Sequence, residues 1–133
     1  MNNVKIKNNY TILHFDEYPI LFIGKNDKSE VIIGSFIAEN EADDTLQYFH
    51  SIVSNFTATK FLKKKMAYLD VLKTAATISI VTKDYNDKIV HIEAKNFLDI
   101  DPSFLPLPFA MCPEVGDAII SKFSKLADVP VLA

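Results

Sequence analysis

The chain has 133 residues, 49% of them apolar and 23% charged, with a net charge of −3 and one cysteine. That length suits one domain over residues 1–133, and so much apolar surface excludes global disorder. The lone Cys112 excludes an intrachain disulfide and any site built on several thiolates, and 14 lysines without a single arginine, against 17 acidic residues, argue against nucleic acid as a partner.

In chain order, residues 10–15 and 20–23 read as short strands separated by Asp16-Glu17-Tyr18-Pro19. Pro19 has no ladder donor and so belongs at a strand start or an edge. Lys25-Asn26-Asp27-Lys28-Ser29 reads as a hairpin turn, followed by a β-branched strand at 31–38 and an acidic loop at 39–44. Leu46, Tyr48, His50 and Ile52 then alternate with Gln47, Phe49 and Ser51, the period of a fourth strand.

Ser54, Asn55 or Thr57 opens a helical stretch in which Ala58, Phe61, Leu62, Met66, Leu69, Leu72 and Ala76 form one apolar stripe. A break near residues 65–67 could divide it into two short helices. Residues 77–82 and 88–93 predict a second hairpin, with Ile78 and Ile80 set against Val90 and Ile92. Residues 97–113 combine four prolines with many apolar side chains, which forbids regular pairing and requires an irregular path against something. A last helix is expected over 114–126, with Val115, Ile119, Phe123 and Leu126 on one face and Ala118 and Ile120 beside it. Glu114 and Asp117 in its first turn and Lys122 and Lys125 near its end suit the helix dipole, with Pro113 at its start. The sum is an α+β fold: a mostly antiparallel sheet of five to six strands with two to three helices packed on one side.

Four runs carry a resemblance: Tyr18-Pro19-Ile20-Leu21-Phe22, Val31-Ile32-Ile33-Gly34, Tyr68-Leu69-Asp70-Val71-Leu72 and Leu105-Pro106-Leu107-Pro108. Together they resemble a family of uncharacterised bacterial and phage small domains. The resemblance covers residues 10–113, implies a shared fold and implies nothing about sites. The last helix lies outside it.

Motifs that carry chemistry are sparse. His14, His50 and His91 fall on three predicted strands, without the helical spacing of a zinc site. Cys112, between Met111 and Pro113, sits where apolar surroundings raise a thiol pKa. Asp99 and Asp101 have the spacing of a hard-cation pair, but Asp101-Pro102 is also a turn opener. Lys60, Lys63 and Lys64 share a helix face that reads as solvated. Three glycines, Gly24, Gly34 and Gly116, build no phosphate loop or nucleophile elbow. No catalytic residue, metal ligand or cofactor is assigned.

The expected function is a non-catalytic protein-binding module, an inhibitor of immunity or anti-defence type or an adaptor, acting by surface complementarity in the cytoplasm. No apolar run approaches the ~20 residues that span a bilayer, and Met1-Asn2-Asn3-Val4-Lys5 leads into no secretory signal. Phe104, Leu105, Leu107 and Phe109 are expected at an interface with another protein or with a second copy in a homodimer. The same segment could instead be a lid closing the sheet against the last helix. The alternative function is a small ligand-binding protein or metal-dependent enzyme in which Asp99, Asp101 and a histidine line a pocket. Nucleic-acid binding through the lysine run is a third, weaker option.

Overall fold

Turn chemistry sets the frame. The computed structural model describes residues 10–124. Its strands are β1 (Tyr10–Asp16), β2 (Tyr18–Lys25), β3 (Val31–Asn40), β4 (Thr45–Val53), β5 (Thr77–Asp84) and β6 (Ile89–Lys95). Three of the hairpins open on an Asn or Asp whose Oδ1 accepts two backbone N–H groups. Asn26 takes those of Lys28 and Glu30, Asn40 those of Ala42 and Asp43, and Asp84 those of Asn86 and Lys88. Each of these turns closes on a left-handed residue, Ser29, Asp44 or Asp87, with φ of 65°, 57° and 68°. The β1–β2 turn is tighter than expected. Glu17 alone turns the chain at φ 65°, and Asp16 is already paired with Tyr18.

Short hairpins keep chain neighbours adjacent, so the strands form one antiparallel sheet in the order β1-β2-β3-β4-β5-β6. Helices α1 (Asn55–Leu62) and α2 (Tyr68–Thr74) connect β4 to β5, and α3 (Asp117–Ser124) follows the proline-rich segment. The fold is α+β. No helix of the described residues is long and apolar enough to cross a membrane.

Alternation along the strands builds two different faces. On one, Ile23, Ile33, Phe49 and Ile80 pack against Phe61 and Leu62 of α1, Val71 and Leu72 of α2 and Phe123 of α3. Each such fully buried side chain contributes roughly 1.5–3 kcal/mol. Ser54 caps α1 by accepting the Thr57 N–H, and Asn55 Nδ2 donates to the Phe123 carbonyl at 2.8 Å, tying α3 to the start of α1. On the other face, Phe22, Leu46 and Tyr48 are buried under Tyr10, Tyr18 and Phe36. Lys83, 8% exposed, lays its ammonium over the rings of Phe22 and Tyr48 and pairs with Asp87 at 3.2 Å.

Three elements depart from the sequence reading. The apolar stripe does not run continuously through both helices. Lys64 at φ 62° ends α1, and the intervening turn resets the helical phase, so α2 buries Tyr68, Val71 and Leu72 while Leu69 is only half-buried and Ala76 lies beyond the helix. The setting of Ile78 and Ile80 against Val90 and Ile92 is also corrected. A register shift between Thr82 and Lys83 leaves Val90 as an extra residue, which puts Val81 opposite Ile92 and Glu93 opposite Ile80. The last helix starts at Asp117, not Glu114. The Gly116 carbonyl accepts the first helical bonds, from Ile119 and Ile120, and Glu114 instead pairs with Lys64. Lys125 and Leu126 lie outside the described residues.

Candidate functional site

The proline-rich segment, residues 97–113, is a strap held at intervals. Two 3₁₀ turns, Phe97–Asp99 and Pro102–Phe104, give it local order. Asp101 Oδ1 accepts the N–H and the hydroxyl of Ser103 at 3.0 and 2.9 Å, bonds that hold its carboxyl below the usual range. Further on, the Ala110 carbonyl accepts the N–H of Tyr68 at 2.9 Å. That N–H opens α2 and has no partner within the helix, so the strap completes the helix terminus.

Its side chains divide by direction. Ile100 and Cys112 are buried in the core, with Phe97 and Leu105 half-buried against it. Leu98, Leu107 and Phe109 point outward, 91%, 62% and 74% exposed. Phe104 and Met111 are also exposed, although both reach the edge of a cavity. Of the four residues singled out in the sequence, Leu105 therefore faces the core, Leu107 and Phe109 face outward, and Phe104 stands between. Lid and surface are two sides of the same strap.

Between strap and sheet lies a cavity of about 380 Å³, walled by Leu21, Phe49 and Phe61 from the body and by Phe104, Pro106 and Met111 from the strap. Ser35 and Tyr68 also line it, their hydroxyls 2.6 Å apart and buried. Burial pushes the Tyr68 phenol up to about 12, an effect that Ser35 and Ser51 partly offset. Ser51 Oγ is close enough to act on Tyr68 but makes no hydrogen bond of acceptable geometry.

The other candidates are not brought together. His14 is on β1 and His91 on β6, at opposite edges of the sheet, and His50 stands in β4 on the aromatic face beside Tyr10 and Phe22. Asp99 accepts a bond from Asn96 and Asp101 caps its turn. No group of three or more His, Cys, Asp or Glu side chains is placed to hold a metal among the described residues. Burial raises the Cys112 thiol to about 11, so it is protonated at neutral pH. In the lysine run, Lys60 lies over Phe56 at 5.1 Å, Lys64 pairs with Glu114, and Lys63 and Lys65 are exposed.

The sequence reading missed the aromatic face. Its signal was present in Phe22, Phe36 and Tyr48: Tyr10 meets Phe22 edge-on, Tyr18 stacks on Phe36, and Tyr48 packs against both phenylalanines, at centroid distances of 5.0–5.9 Å. Glu39 Oε2 accepts the hydroxyls of Tyr18 and Tyr85 at 3.0 and 2.6 Å, which raises both phenols and ties the β5–β6 turn to β3. No family model matches this chain, and no curated protein or solved structure matches it. The resemblance carried by the four apolar runs rests on those residues alone.

Proposed function

We propose that the protein is a non-catalytic binding module that docks onto a partner protein through the outer side of the strap, as an inhibitor or adaptor does. The observation that carries this reading is the outward projection of Leu98, Leu107 and Phe109 from a segment whose inner side chains are fixed in the core. Exposing large apolar side chains to water is unfavourable, at about 25 cal/mol per Å², and a partner's apolar cleft removes that cost. The strap is also suited to binding without large ordering losses, because two 3₁₀ turns and the Tyr68–Ala110 bond already fix its path.

The test compares wild type with Leu107→Asp, each immobilised and exposed to extract of the source cells, with light scattering to detect self-association. The expected result is a stoichiometric partner on wild type that the equally stable variant does not retain. Equal retention by both proteins, or none by either, overturns the reading. A wild-type dimer that Leu107→Asp converts to monomer would make the partner a second copy of the chain.

A further inference from the structure

We infer that the cavity between the strap and the sheet is a binding site for a compact, uncharged aromatic alcohol. It is a partly open cleft of about 380 Å³, within the size range of small-molecule sites. The rings of Phe49, Phe61, Tyr68 and Phe104 line it, and an aromatic ligand meets such walls edge-on or offset. Among the described residues, no carboxylate or ammonium side chain lines it. Beyond the imidazole of His14, the wall offers a charged ligand no counter-charge for the hydration it would lose there.

The polar requirement comes from counting hydroxyl valences. Besides His14, the hydrogen-bonding side chains on the wall are Ser35 and Tyr68, joined by one bond in which either oxygen can donate. A serine hydroxyl has one proton and two lone pairs. If Ser35 donates to Tyr68, it retains two acceptor positions; if it accepts, it retains a proton and one lone pair. A ligand hydroxyl both donates and accepts, so it satisfies Ser35 in either arrangement. A ketone, which only accepts, or an ammonium, which only donates, fits only one.

1-Naphthol and naphthalene are the probes, titrated into the full chain by fluorescence. Wild type is expected to saturate with one 1-naphthol per chain and to bind naphthalene about tenfold more weakly, the difference of one net hydrogen bond. Ser35→Ala should bring 1-naphthol down to the naphthalene level and leave naphthalene unchanged. Ala110→Leu, which adds bulk to the cavity wall, should abolish binding of both. Leu107→Asp, on the outside of the strap, should change neither, which separates this site from the protein-docking surface. Absence of saturation, equal affinity for the two probes on wild type, or binding that survives Ala110→Leu would overturn the assignment. The comparison of the two probes on wild type decides the hydroxyl question even if a variant fails to fold.

Discussion

His50 shows how a half-buried ring can set a pH dependence without any catalytic role. It stands against Tyr10 and Phe22 with its Nε2 buried and, among the described residues, without a hydrogen-bond partner. Burial, helped by the nearby Lys83 charge, lowers its pKa from 6.5 to about 3. In the unfolded chain the imidazole takes up a proton below 6.5, while in the folded chain it stays neutral until about 3. The unfolded state therefore binds the extra proton in that window, and stability falls as pH drops. The slope from this one group is at most about 1.4 kcal/mol per pH unit. Urea unfolding of wild type and His50→Phe between pH 7 and pH 4 checks this: the variant should lose the extra acid sensitivity, and the difference should grow steadily below pH 6.5. Gly34 on β3 is a second residue-scale constraint, because it pairs with Phe22 and a methyl group there would overlap the Phe22 ring. With that ring wedged between Tyr10, Tyr48 and His50, Gly34→Ala should cost about 1–3 kcal/mol in chemical unfolding, and Phe22→Leu in the same chain should recover part of it.

At the scale of elements, the turns hold the sheet in register. Asp84 Oδ1 accepts two N–H groups at 2.8 and 3.0 Å, so Asp84→Ala should cost about 1–2 kcal/mol and raise amide exchange in β6 ahead of the other strands. The strands, the turns after β2, β3 and β5, and a possible break between α1 and α2 were legible because alternation, turn residues and polar interruptions are local signals. What escaped was set by single residues with non-local effects. The extra Val90 in β6 moves Ile92 to the aromatic face and turns Glu93 towards the helices. Composition does not announce a bulge, since valine is as good a strand residue as its neighbours. Similarly, the left-handed Lys64 rotates α2 by an amount that the apolar stripe could not reveal, which is why Tyr68 and Val71 replaced Leu69 and Ala76 in the core. Glu114 looked like a first-turn acid by position but pairs with a lysine 50 residues away, a partner no local pattern contains.

Over the whole molecule, the strap divides into a side packed on the core and a side left outside it. The sequence identified the segment through its prolines and apolar density, but alternation of direction along an irregular path has no fixed period. Which side chains turn inward was therefore not legible: Leu105 packs on the core and Leu107, two residues later, does not. The cavity beneath was invisible for the same reason, since Ser35 and Tyr68 meet only after α2 is folded back onto β3. Leu107→Asp should consequently leave the unfolding midpoint within the change caused by about 0.5 kcal/mol, as expected of an exposed position, while removing the partner. The most direct measurement is the pair of unfolding free energies for Ile100→Ala and Leu107→Ala. If the outer side of the strap is free for docking, truncating the buried Ile100 costs about 2–5 kcal/mol and truncating Leu107 costs no more than about 0.5. Comparable losses at both positions would mean that Leu107 holds the fold together, and the strap would then be a lid with no free face.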